Sequence, residues 1–248
     1  MNCECTLFIF VLMGQKKLQR FAEIRTFPNV LEYPVHMAGK WASFFKNNSP
    51  LVLELACGKG EYAVGLGRMH SNKNYIGVDL KGNRLWVGAK QALEEGLNNV
   101  AFIRTQIDKI AQYFSKNEVD EIWITFPDPQ LRTSKASKRL THPKFLRLYQ
   151  QFLRPGGKIH LKTDSPDLYR FTKSVIELHR LMLTDESDNV YALPLIPEEL
   201  KIRTHYEGLD IAGSKRIFYL QFLLPEIELA DHDEALKKLI LEQEATIR

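Results

Sequence analysis

At 248 residues, 44% of them hydrophobic and 26% charged, the chain has the composition of a soluble globular protein with enough apolar mass for a sizeable core, and one large α/β domain is the simplest expectation. Three cysteines (Cys3, Cys5 and Cys57) and seven scattered histidines offer neither a disulfide framework nor zinc-ligand spacing, which argues against a metal site and for a reducing cytoplasm. The net charge of +4 is too mild by itself to name a partner.

The apolar run over 7–13 is too short to cross a bilayer and lacks the basic flank and small-residue cleavage site of a signal peptide, so no membrane association is expected. Met13-Gly14-Gln15-Lys16-Lys17 reads as a natural soluble beginning, and translation is expected to start at Met13. Residues 1–34 then form an N-terminal segment with a basic arm from residue 14, residues 35–225 the main domain, and residues 226–248 a C-terminal helix with an acidic start. Through the main domain, apolar runs of strand length fall at 51–56, 75–79, 100–103, 121–126, 158–163 and 216–223. Helical patterns lie between them at 84–95, which stops at Gly96, at 143–153, which opens on a first-turn proline, and at 167–181. Such alternation is the signature of βα units on a doubly wound, mostly parallel, Rossmann-like sheet.

The first strand runs into Glu54-Leu55-Ala56-Cys57-Gly58-Lys59-Gly60-Glu61-Tyr62-Ala63, a small-residue turn and a helix start. Gly58, Gly60 and Ala63 satisfy the dinucleotide fingerprint, and Asp79 ends the next strand where an acid binds a ribose diol. A carboxylate at Glu54, near the mouth of that turn, would repel a pyrophosphate and suits a cofactor bearing an ammonium and a sulfonium, which favours S-adenosylmethionine over NAD. The plain alternatives are a salt-bridged strand residue for Glu54 and a turn or N-cap acid for Asp79. Gln106, just after the third strand, could pair with an adenine edge or be an ordinary surface residue.

Residues 129–163 carry nine Lys or Arg and no Asp or Glu, a concentration that suggests nucleic acid. The run is bracketed by two acids, Asp128 and Asp164. Asp128 lies in Phe126-Pro127-Asp128-Pro129, where each proline fixes its own φ and keeps the preceding residue extended, so the carboxylate is held in a stiff corner. The fourth strand should lie beside the first, at the crevice where strand order reverses, and so deliver Asp128 to the cofactor. Asp164 ends the fifth strand, and the two acids should meet across one pocket.

These segments resemble the bacterial tRNA (guanine-N7)-methyltransferases. The resemblance rests on Leu53-Glu54-Leu55-Ala56-Cys57-Gly58-Lys59-Gly60, Phe126-Pro127-Asp128-Pro129, Lys138-Arg139-Leu140-Thr141-His142-Pro143-Lys144-Phe145-Leu146, Thr163-Asp164 and Thr204-His205-Tyr206-Glu207, in the family's order. It implies the class I methyltransferase fold with an antiparallel last strand. It also implies methyl transfer from S-adenosylmethionine to N7 of a variable-loop guanosine in tRNA, as in a tRNA (guanine(46)-N7)-methyltransferase, by a monomer or homodimer. Carried over position by position, it places Glu54, Asp79, Gln106 and Asp128 at the cofactor, beside the Gly58 and Gly60 of the fingerprint, with Asp128 also the catalytic acid. Arg132, Asp164, Thr204, His205, Tyr206 and Glu207 are implied at the substrate, and residues 134–139, with Lys135, Lys138 and Arg139, at the RNA; the basic run itself adds Lys144 and Arg147 along the phosphates. The chain departs from the pattern at Ala56, where a glycine is frequent, at Gln106, where Asp or Asn is usual, and at Gln130-Leu131-Arg132-Thr133, which replaces a more basic, Trp-containing stretch.

A methyltransferase for a small molecule or a protein would share the cofactor half without needing the basic run. A non-catalytic RNA-binding protein would keep the basic run without binding the cofactor. An NAD-dependent dehydrogenase is disfavoured by Glu54 and by the absence of an obvious hydride-relay histidine.

Overall fold

The computed structural model describes residues 18–209 and 211–247; the expected start at Met13 and the first part of the basic arm lie outside them. Eight strands form one sheet: β1 (Val30–Glu32), β2 (Leu51–Leu55), β3 (Asn74–Asp79), β4 (Val100–Arg104), β5 (Val119–Thr125), β6 (Leu153–Thr163), β7 (Met182–Ser187) and β8 (Phe218–Leu223). Their order is β1-β4-β3-β2-β5-β6-β8-β7. All pairs from β1 to β6 are parallel, and β8 runs antiparallel to both β6 and β7. The doubly wound, mostly parallel sheet with an antiparallel last strand is thus present, and the six strands legible in the sequence all form. Two edge strands, β1 and β7, were not foreseen.

The central strands read as continuous apolar runs because helices cover both faces. Along β2, Leu51, Leu53 and Leu55 join one buried cluster, which also takes Phe145 and Leu146 from the helix Pro143–Tyr149 and Phe171 and Val175 from the helix Pro166–Leu178. Val52 points the other way, into a cluster with Tyr62 and Leu66 of the helix Glu61–Met69 and Leu85 and Ala89 of the helix Gly82–Glu94. The same alternation puts Glu54 on the Val52 face, directly under the start of the helix Glu61–Met69. The C-terminal helix Asp233–Ile247 closes the first cluster with Leu236 and Ile240.

Strand order reverses at β2, which pairs with β3 on one side and β5 on the other. Loops leaving the carboxyl ends of these strands diverge and leave a crevice between them, the place where open α/β sheets bind ligands.

Candidate active site

A cavity of about 650 Å³ occupies that crevice, within the size range of a cofactor pocket. It is floored by Ala56 after β2 and Asp79 at the end of β3, and walled by Phe126, Pro127, Asp128 and Pro129 after β5 and by Asp164 after β6. The β2 turn is tight for a reason legible atom by atom. Gly60 has φ +73°, and a Cβ there would stand 2.4 Å from the Phe102 ring, so only glycine fits. Gly58 (φ +58°) leaves room toward the Tyr206 ring, which an added Cβ would meet at 3.6 Å. The Asp79 carboxylate fastens the turn, accepting from the Gly58 amide at 3.0 Å and the Lys81 amide at 2.8 Å.

The double-proline corner is held at both ends. Phe126, expected to be extended before Pro127, instead has φ +47°, with its amide donating to the Lys162 carbonyl of β6 at 2.8 Å. Gln130 at the far end also has φ +47°, and the Asp128 carboxylate accepts from its amide at 3.0 Å. Behind it, the buried Arg139 guanidinium donates to the carbonyls of Pro129 (3.1 Å) and Gln130 (3.1 and 3.3 Å) and lies 4.5 Å over the Phe171 ring. Opposite, Asp164 accepts from the Ala212 amide at 3.3 Å through its side chain and from the Ser214 hydroxyl at 2.8 Å through its carbonyl. Because β5 and β6 are adjacent and parallel, Asp128 and Asp164 face one cavity although a 35-residue run separates them. With Asp79 and Asp167 they give it four carboxylates against the two cations Lys81 and Arg84. That balance fits a cationic cofactor such as S-adenosylmethionine and disfavours a pyrophosphate.

The family model described as "Putative methyltransferase" matches residues 48–219. A tRNA (guanine-N(7)-)-methyltransferase of Bacteroides thetaiotaomicron is 46% identical over 223 residues, covering 86% of this chain and 88% of that protein. The protein of the same name from Porphyromonas gingivalis is 46% identical over 224 residues, covering 85% and 91%. The chain belongs to the tRNA (guanine-N7)-methyltransferase family. Among solved structures, the 16S rRNA methyltransferase KamB superposes with a TM-score of 0.57 at 13% identity, over 77% of this chain and 95% of that one. A 16S rRNA (adenine(1408)-N(1))-methyltransferase crystallised with its cosubstrate SAM gives 0.51 at 12% identity, over 77% and 92%. Both share the fold.

In this methyltransferase the residues singled out from the sequence fall into three groups. Asp79, Asp128, Asp164 and Tyr206 line the cavity. Thr204, His205 and Glu207 flank Tyr206 without lining it: the Thr204 hydroxyl accepts from the Glu207 amide at 3.2 Å, the His205 amide donates to Glu61 at 3.2 Å, and the Glu207 carboxylate turns away to Lys162 and Tyr191. Glu54 lies beneath the turn, accepting from the Ala63 amide at 2.8 Å and the Thr125 hydroxyl at 3.0 Å. Burial raises its carboxyl to a pKa of about 8, with Glu61 and Asp79 adding to the rise. Gln106 is exposed at the start of the 3-10 turn Ile107–Tyr113, outside the cavity wall.

The basic residues also divide. Arg132, Lys135 and Lys138 are exposed on the segment after the double-proline corner. Lys144 is exposed but paired with Asp108 at 2.8 Å. Arg139, expected at the RNA, is instead only 4% exposed, with its guanidinium donating to the backbone carbonyls of Pro129 and Gln130. Sequence reasoning passed over Lys81, Arg84, Leu131 and Ile211, all on the cavity wall, and Lys162, which lies behind it. A lysine inside the apolar strand β6, two residues before Asp164, was a visible signal.

Proposed function

We propose that this enzyme transfers the methyl group of S-adenosylmethionine to N7 of a variable-loop guanosine of tRNA, that it binds tRNA through the exposed cations beside the cavity, and that it works in the cytoplasm as a monomer or homodimer. The observation that carries the residue roles is the meeting of Asp128 and Asp164 in a cavity beside the glycine turn. In this reading Gly58, Gly60 and Asp79 hold the cofactor, whose chemistry is an electrophilic methyl on a sulfonium. Gly58 leaves the space and Asp79 offers a ribose acceptor, while Glu54 supports the turn from below. Gln106 approaches the adenine only if its loop turns inward.

Guanine N7 has an in-plane lone pair and no proton to lose, so the chain need supply no general base; alignment and electrostatics suffice. The methylated purine is cationic. Asp128, fixed in its corner, stabilises that developing charge, and Asp164 accepts from the guanine edge, with Tyr206 available as a stacking surface. Arg132, Lys135 and Lys138 follow the phosphates, while the base enters the pocket out of its stack.

The deciding experiment is nuclease digestion of tRNA after reaction, with 7-methylguanosine appearing at one position of the variable loop; product in a metabolite or protein pool instead would overturn the reading. Asp128→Ala should fold normally and lose at least about 100-fold in kcat/KM. Near-normal turnover in that variant would remove Asp128 from the chemistry. No helix among the described residues is long and apolar enough to cross a membrane.

A further inference from the structure

We propose that Lys162 is a positioning residue that suspends the substrate-facing segment over the cavity, and that Glu207 is its anchor rather than a ligand of the guanine. The proposal rests on the tRNA methyl-transfer reading of the site. Lys162 is wholly buried in β6, and its ammonium donates to three acceptors: the Leu200 carbonyl at 2.9 Å, the Ile202 carbonyl at 2.9 Å and the Glu207 carboxylate at 3.0 Å. An ammonium has three donors, and all three are spent on one crossing segment. The rings of Tyr62, Phe126 and Tyr191 lie 5.3 to 5.9 Å away.

Glu207 is equally committed. Its side chain is 5% exposed; one oxygen takes Lys162 and the other takes the Tyr191 hydroxyl. To grip a base, Glu207 would have to leave a buried ammonium without its counter-charge, the costly way to break a buried pair. Burial already draws the Lys162 pKa downward, and Glu207 is the group that opposes this.

The effect is geometric. The start of the segment hangs from β6 through Lys162, and its far side is tied to the end of the same strand, where Asp164 holds Ala212 and Ser214. Between these ties Tyr206 is set against the space above Gly58, with the Arg84 guanidinium 5.4 Å over its ring. Contact with the base then falls to Asp164 and Tyr206, and Glu207 sets where Tyr206 stands.

The test is a double-mutant cycle of Lys162→Met, Glu207→Gln and the pair together, with tRNA kinetics, calorimetric S-adenosylmethionine binding and amide exchange over 200–214. Each single change is expected to raise KM for tRNA about tenfold, with a smaller effect on kcat, and to speed exchange in that segment. The pair should be no worse than either single change, because both ends of the buried interaction are then removed together. A double variant whose defect is the product of the two single defects, or a Glu207→Gln protein that loses kcat while exchange stays slow, would place Glu207 on the guanine and overturn the proposal. Should Lys162→Met not fold, Glu207→Gln and Tyr191→Phe carry the exchange measurement, and unchanged protection in both overturns it equally. A wild-type enzyme that methylates no tRNA defeats the methyl-transfer reading, while the exchange measurements still decide whether the anchor exists.

Discussion

Glu54 is buried beneath the glycine turn, with its oxygens on Ala63 and Thr125, and the position has a consequence in pH. Its carboxyl titrates near 8 in the fold against an ordinary value of 4.5. Between those values the folded state keeps a proton that the unfolded state has released, so stability falls as pH rises across that window and the contribution is whole only below about 4.5. Within the window the slope approaches about 1.4 kcal/mol per pH unit. Glu54→Gln keeps the shape, with its Oε1 accepting from the Ala63 amide and its Nε2 donating to the Thr125 hydroxyl, and leaves nothing to titrate. Its urea-derived stability between pH 5 and 8 should therefore decline less than that of the wild type, by about that slope; parallel profiles would refute the assignment. The sequence made Glu54 a charge at the cofactor because its place before the glycines was visible. The burial that neutralises it comes from strand alternation plus the helix above, and only the assembled sheet shows both. Ala56 is a second such case: its φ of +57° lies where a Cβ costs about 1 kcal/mol, which gives a physical reason for the glycine frequent there in the resemblance.

At the scale of elements, legibility followed burial. The six foreseen strands are those with apolar residues on the covered faces of the sheet, whereas β1 is three residues long and β7, Met182-Leu183-Thr184-Asp185-Glu186-Ser187, is an exposed edge with no hydrophobic alternation to reveal it. The double-proline corner was legible as stiff, because prolines act locally; what locks it was not, because Arg139 returns to it from ten residues away in a tract that read as RNA-facing. Arg139→Lys keeps the charge but not the fork that serves two carbonyls. It should cost about 1–3 kcal/mol of stability in chemical denaturation and lower kcat/KM by displacing Asp128, with the salt dependence of tRNA binding unchanged. Wild-type stability and turnover in that variant would show that the corner holds itself.

Across the whole molecule, a charge run in sequence is not a charge patch in space. Of the nine cations between residues 129 and 163, Lys144, Arg147, Arg154 and Lys162 are paired with Asp108, Asp233, Asp120 and Glu207 from elsewhere in the chain. Arg139 is buried, and Lys158, though exposed, stands toward the end of β6 away from Asp164, with Glu121 as its register neighbour on β5. Arg132, Lys135 and Lys138 remain, exposed beside the cavity and in no ion pair among the described residues. A neutralised phosphate releases counterions, so each such contact adds about 0.7–0.9 to the slope of log K against log salt. Lys135→Ala and Lys138→Ala should each flatten that slope for tRNA by about this much, while Arg154→Ala, whose cation already faces Asp120, should leave it unchanged. The measurement is binding of unmodified tRNA across a salt series. Equal slopes for all three variants would mean that the RNA lies on another face, and the two acids would then have to receive their guanosine from a different direction.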